Sequence, residues 1–265
     1  RFTQITTLVS FTSAVRVIDV KCVHNRTFFT LYHSILRYYY VSACGYNYHG
    51  CLGVSKDELI VNKPIRLPGP KKTNDTFFES CDAPIIINSH NHFTAIVSTK
   101  RHIMTSKYQL LLTCGNNNSY QLGFDHNHNQ NRLGIVPIGY GGVPLSETPR
   151  NYIKHVELGW NHMIILFQNG YMKGCGANDK GQLGCHEELT ILHTLQILTV
   201  SHEKTGGSLM VKSVSSSFDS TIIQTTDHLT FATGHNKQGQ LGLGDCENRY
   251  SFTLVQFPNR YPQLE

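Results

Sequence analysis

Gly234-His235-Asn236-Lys237-Gln238-Gly239-Gln240-Leu241-Gly242 is the stretch on which the reading of this chain turns, because three other stretches repeat its form. They are Gly45-Tyr46-Asn47 to Leu52-Gly53, Gly115-Asn116-Asn117 to Leu122-Gly123, and Gly176-Ala177-Asn178 to Leu183-Gly184. A small residue precedes each copy: Cys44, Cys114, Cys175 and Thr233. The copies recur about 58 to 70 residues apart, a period that belongs to repeat architectures. Glycine at the two ends suits a sharp turn or a close backbone approach, and Asn47, Asn117, Asn178 and Asn236 are placed to satisfy loop backbone groups. The phrase therefore reads as scaffold, with Leu as an anchor in an apolar layer.

A second signal precedes each copy: Val20 to Asn25, Ile86 to Asn91, Val156 to Asn161 and Val214 to Asp219. A β-branched residue opens all four and Asn or Asp closes them, which predicts a turn with the Asn or Asp in left-handed geometry. A ring stands just before that turn residue: His24, His90, Trp160 and Phe218. These four share one repeat position in this alignment. They are therefore expected on one face of the array, as candidate partner-binding residues or as rings packed between repeats. Trp160 is the only tryptophan, and Trp is enriched among residues that dominate interface energy.

Between the two signals the third unit carries Met163 to Phe167 and Tyr171 to Cys175 around Asn169-Gly170, the strongest short-range hairpin pattern. Longer versions in units one and two place extra residues at hairpin tips, around His33-Ser34 and from Lys100 to Lys107. A further strand candidate follows each phrase: Pro64 to Leu67, Ile135 to Ile138, Ile191 to Leu198 and Phe252 to Val255. Four short strands per unit predict an all-β fold, a β-propeller of four-stranded antiparallel blades. The units run 17–82, 83–150, 151–208 and 209–257, with 258–265 as a tail. The opening 1–16 reads as the remnant strand of a preceding blade, carried by Phe2 to Leu8.

Apolar strand, turn with a ring, hairpin, Gly-x-Asn-x-x-Gly-Gln-Leu-Gly, then Gly244-Asp245 with Arg249 following: this order resembles the regulator of chromosome condensation repeat family. The resemblance runs from about Val17 to Phe257. Cys51 stands where Gln is usual, and Tyr120 stands where Gly is usual, so the turn at Tyr120 is expected to be built differently. The family's seven-bladed ring implies more chain than four units, so an open arc with exposed end faces is expected. The resemblance also implies either a non-catalytic protein-interaction module within a larger protein or guanine nucleotide exchange on a small GTPase. The exchange wedge is not assigned to either the Lys100–Lys107 loop or the Gly139–Pro149 loop.

Composition narrows the remaining classes. Charged residues make up 15% and the net charge of +5 is dispersed, with Lys71-Lys72 and Lys100-Arg101 the nearest to clusters. Nucleic-acid or chromatin contact is therefore not expected, since such proteins carry a denser basic stripe. No phosphate-binding Gly loop, nucleophile elbow or paired catalytic carboxylates occur, so no enzyme activity and no cofactor are expected. His90 with His92, and His126 with His128, lack the further ligands of a closed metal site, and His186-Glu187-Glu188 lacks a second His. His92 and His162 align immediately after the turn Asn, with Arg26 and Ser220 in their place elsewhere, which reads as a structural hydrogen bond.

Eight cysteines without Cys-x-x-Cys read as free thiols in a reducing compartment. Sequons at Asn25, Asn74 and Asn117 read as chance, and no signal peptide or membrane-length apolar run is visible. The expectation is an intracellular, cytoplasmic rather than nuclear, protein.

Overall fold

A computed structural model describes residues 14–54, 58–69, 86–90, 92–101, 107–138, 152–201 and 207–257. The segment Phe2 to Leu8, the tail from 258, Lys71-Lys72, Asn74, Cys81, Asn91 and the Gly139–Pro149 loop lie outside the described residues.

Blade 1 comprises β1 (Val15–Val23), β2 (Arg26–His33), β3 (Tyr38–Tyr46) and β4 (Ile60–Arg66). Blade 2 comprises β5 (Ile86–His90), β6 (Phe93–Arg101), β7 (Lys107–Gly115) and β8 (Gln130–Ile135). Blade 3 comprises β9 (Ile153–Leu158), β10 (His162–Phe167), β11 (Met172–Ala177) and β12 (Ile191–Leu198). Blade 4 comprises β13 (Val211–Ser217), β14 (Ser220–Thr225), β15 (Thr230–Gly234) and β16 (Arg249–Leu254). Each blade is one antiparallel sheet in chain order, and the one helical turn among the described residues is a 3-10 turn at Tyr48–Gly50. The all-β, four-bladed architecture read from the sequence is therefore the observed one.

The core is divided between the blades. One apolar cluster joins Phe28, Val41, Ala43 and Leu52 of blade 1 to Ile87, Ile96 and Leu112 of blade 2. A second joins Phe93, Leu111 and Leu122 to Val156, Met163 and Ile165, and a third joins Ile164, Leu166 and Leu183 to Val214, Ile223 and Phe231. No cluster joins blade 4 to blade 1 among the described residues, and the two end faces show it. Val20 is 48% exposed where its register equivalents Ile87, Val156 and Val214 are 3 to 8% exposed. Ile222 is 39% exposed at the other end, where Phe28, Ala95 and Ile164 are buried. The blades form an open arc.

The repeated phrase closes each blade and ties it to the next. Asn47, Asn117, Asn178 and Asn236 are buried, and each side-chain Oδ1 accepts the N–H of the Leu five residues on at 2.9 Å. Each Nδ2 donates to loop carbonyls, of Glu58 at 2.8 Å, His126, Leu189 at 2.7 Å and Asp245 at 3.0 Å. Leu52, Leu122, Leu183 and Leu241 are buried beneath these loops. Gly45, Gly115, Gly176 and Gly234 have φ of 103 to 112°, and a Cβ there would lie 2.2 to 2.3 Å from the carbonyl oxygen of the blade's first turn. The closing glycines Gly53, Gly123, Gly184 and Gly242 share positive φ of 66 to 80°.

A hydroxyl or thiol from the following blade caps the same loop. Thr94 Oγ1 donates to Cys51 O at 2.7 Å, Thr221 to Gln182 O at 2.8 Å and Thr233 to Gly181 O at 2.7 Å. Cys114 and Cys175 make the corresponding weaker contacts, to Cys51 O at 3.5 Å and Gln121 O at 3.7 Å. In blades 2, 3 and 4 the small-residue position before the phrase thus holds a donor as well as a small volume. All described cysteines are free; burial drives the Cys114 and Cys175 thiols well above the ordinary range.

Three expectations are corrected. The turn at Tyr120 is built like the others: Tyr120 takes φ 61°, beside 75°, 84° and 70° at Gly50, Gly181 and Gly239. At Gly50 and Gly181 the next blade's backbone would meet a Cβ at 2.3 Å or less, whereas Tyr120 projects outward and stacks on His193 at 4.3 Å. The outer strands begin earlier than Pro64, Ile135 and Phe252, at Ile60, Gln130 and Arg249. The first halves of the strands at Gln130 and Arg249 are polar, and in the strand at Ile60 only Val61 is buried before Pro64, so hydrophobic patterning reveals these starts poorly. Finally, the left-handed residues of the first turns are the rings His24 (φ 50°) and Phe218 (φ 44°), not Asn25 and Asp219.

Candidate functional site

The turns that follow β1 and β13 hold two residues each, His24-Asn25 and Phe218-Asp219, and Trp160-Asn161 follows β9 after Gly159, whose N–H donates to His162 O at 2.9 Å. A tight turn leaves its side chains no strand to lie against, so the rings project beyond the sheet ends and meet one another. Trp160 N–H donates to Phe218 O at 2.7 Å, and their rings stack at 5.3 Å and 15°. His90 stands edge-on to both, 6.4 Å from Trp160 and 5.8 Å from Phe218, and 5.3 Å from His24. The structure thus brings His24, His90, Trp160 and Phe218, one from each blade, into a single cluster.

The cluster extends further than sequence spacing indicates. His92 meets Trp160 at 6.4 Å and His49 at 5.3 Å, and Tyr48 and Tyr46 continue the chain of rings. Eight rings form one surface, with Trp160 at 39% and Phe218 at 57% exposure. Tyr46, Tyr48, His49 and His92 were not expected there, because the first three lie inside the phrase and His92 reads as a structural hydrogen bond. The usable signal was the run Tyr46-Asn47-Tyr48-His49, where the other copies carry one ring or none.

Strand register corrects the alignment of the second unit. Gly45, Gly176 and Gly234 pair with Arg26, His162 and Ser220, whereas Gly115 pairs with Phe93. His92 therefore corresponds to Asn25, Asn161 and Asp219, and Phe93, not His92, shares the position of His162. The register equivalent of His24, Trp160 and Phe218 is Asn91, outside the described residues. His90 reaches the cluster from the last residue of β5, one position earlier.

Three imidazoles of this face, His49, His90 and His92, are held below the ordinary histidine range. Burial, then the charges of His24, Arg26 and His92, hold His90 down to about 4. Burial first, and neighbouring His49, Arg26 and His24, also lower His92; burial alone lowers His49. Beneath the rings, His162 is fully buried and pushed down to about 3, its Nε2 3.3 Å from Thr221 Oγ1. Gly159 makes room for it: a Cβ there would lie 1.9 Å from the His162 ring and 2.6 Å from Phe218 O. No group of three or more His, Cys, Asp or Glu among the described residues is arranged to hold a metal ion. The arrangement is a continuous aromatic contact surface in which His49, His90 and His92 resist protonation.

An open arc of four-stranded blades with its rings gathered at the inner-strand turns defines a propeller-type repeat array with one aromatic surface. Residues 153–182 match the Regulator of chromosome condensation (RCC1) repeat, and the other three phrases resemble the one that this match contains. The human X-linked retinitis pigmentosa GTPase regulator is 31% identical over 39% of this chain and 10% of its own length. Human WBSCR16 superposes with a TM-score of 0.64 at 18% identity, covering 92% of this chain and 54% of that one. Yeast RCC1 (Prp20), solved bound to Kap60, superposes with a TM-score of 0.51 at 14% identity, covering 92% and 62%. The chain thus spans about a tenth of the curated relative and about half of the structural ones.

Proposed function

We propose that this array is a non-catalytic interaction module whose aromatic face docks a protein partner. The observation that carries it is the continuous surface of eight rings drawn from all four blades, centred on the Trp160–Phe218 stack. A stacked Trp supplies large contact area at low entropic cost, and such anchors dominate interface energy. His90 and His92 beside it are held below the ordinary histidine range, which lowers the desolvation cost of docking.

A second reading, guanine nucleotide exchange on a small GTPase, is favoured by the likeness to a protein named as a GTPase regulator. One titration separates the two. Trp160 is the sole Trp, so its fluorescence reports on this face when purified small GTPases loaded with a fluorescent GDP analogue are added. Binding that perturbs Trp160 without accelerating nucleotide release supports the module; accelerated release supports exchange. Histones as titrant test a chromatin partner in the same format. If a binding partner is found and Trp160→Ala or Phe218→Ala leaves its affinity unchanged, the face is not the site.

A further inference from the structure

The outermost strand of each blade has a free edge, a row of unpaired N–H and C=O groups that proteins guard with charge, proline or bulges. All four outer strands share a register irregularity against their neighbour, so that device does not distinguish them. Side chains do. β4 carries Lys63, Pro64 and Arg66, β8 carries Arg132, and β16 carries Arg249. β12, Ile191-Leu192-His193-Thr194-Leu195-Gln196-Ile197-Leu198, carries no Lys, Arg, Asp, Glu or Pro. At 8 residues it is the longest of the four, with β11 its one neighbour in the sheet.

We propose that β12 is a self-pairing edge through which two copies of this chain associate, antiparallel, about a two-fold axis at Thr194. Residues opposite each other across an antiparallel pair must share a face of the sheet. Ile191 and Ile197 share one, because their partners on β11 are Ala177 and Lys173, an even number of residues apart. Both are exposed, at 38% and 60%. An axis at Thr194 sets Ile191 of one copy against Ile197 of the other, twice, and Thr194 against itself. Branched apolar cross-strand pairs of this kind stabilise a sheet, and no like charges meet.

The irregularity that leaves residues 193–195 between the paired Leu192 and Gln196 is centred on that axis, so pairing uses the two arms on either side. A groove of about 410 Å³ between blades 2 and 3, lined by Phe124, Asp125, Ile138, Lys173, Leu195 and Ile197, runs beside the edge and offers entering side chains both apolar and polar contacts. The two-fold makes the contact isologous, so it closes at two copies. An eight-residue strand is about 27 Å long, an interface at the small end of the stable range, so association belongs at roughly micromolar strength.

Sedimentation velocity from about 5 to 200 µM tests this on the whole chain. The expected result is a monomer–dimer equilibrium weakened about tenfold or more by Ile197→Lys, which places a charge on the edge twice. Ile222→Lys, on the open face of blade 4, is expected to leave the dimer intact. Thr194→Cys provides a reading that needs no destabilised variant: oxidation should link two copies through the axis, beyond any background from the native thiols of the parent chain. A monomer throughout the range, a dimer broken by Ile222→Lys but not Ile197→Lys, or no added cross-linking in Thr194→Cys overturns the proposal.

Discussion

Removing the Asn178 carboxamide should cost the array a large part of its stability while leaving the aromatic face in place. Asn178 is fully buried; its Oδ1 accepts Leu183 N–H at 2.9 Å, and its Nδ2 donates to Cys185 O at 2.8 Å and Leu189 O at 2.7 Å. In Asn178→Ala the N–H and two carbonyls lose their partner together. At about 1 kcal/mol or more for each buried group left unsatisfied, the sum is ~3 kcal/mol. Asn178→Asp keeps the acceptor for Leu183 but turns a carboxylate oxygen toward two carbonyls, so it should cost at least as much and respond to pH. Urea unfolding followed by far-ultraviolet circular dichroism measures the loss, and Trp160 fluorescence reports separately whether the ring cluster persists. A loss below ~1 kcal/mol in Asn178→Ala would refute the claim that the amide holds the loop closed. The same value at Asn236→Ala, whose loop faces no following blade, would show that the clamp acts within its own blade.

Gly159→Ala should collide with the His162 ring and Phe218 O, costing ~2 kcal/mol or more and shifting Trp160 emission; a wild-type spectrum and midpoint would remove the packing argument. For pH, His162 and His90 are depressed to about 3 and about 4, so the unfolded chain takes up protons first as pH falls. Their contribution is fully present above about pH 6.5 and is lost progressively toward pH 4 and then 3, to be read as a falling urea midpoint whose slope is reduced in His162→Gln. Thr233→Val, which removes the donor to Gly181 O and Arg249 O without changing volume, should cost about 1 to 3 kcal/mol, measured by the same unfolding curves.

The phrase was legible because it recurs and because each of its residue types has one job. Gly adopts positive φ, Asn satisfies both sides of a loop, and Leu fills the layer beneath. The outer strands were half legible: Ile191–Leu198 stands out as an apolar run, whereas Gln130–Ile135 hides its start in polar residues that pair with Gly115 but face solvent. The capping of one blade's loop by the next blade's Thr or Cys was not legible at all. A hydroxyl and a thiol at small positions announce size, and their acceptors lie 39 to 63 residues away in the chain.

The candidate site shows how a one-residue ambiguity propagates. Ile86-Ile87 offers two β-branched residues where the other units offer one, and pattern alone cannot choose between them. Burial chooses: Ile87 is 8% exposed and Ile86 38%, because only Ile87 faces the cluster shared with blade 1. Fixing Ile87 as the partner of Val20, Val156 and Val214 moves the second turn forward by one residue. His90 then leaves the ring position for the end of β5, and His92 enters the turn. The cluster survives the correction because His90 immediately precedes the turn and His92 lies in it. One reaches His24 and Phe218, the other His49 and Tyr48, so blade 2 joins the rings of blade 1 to those of blades 3 and 4. Of the two, His90 touches rings of all three other blades, and its loss should divide the face more than that of any other imidazole there.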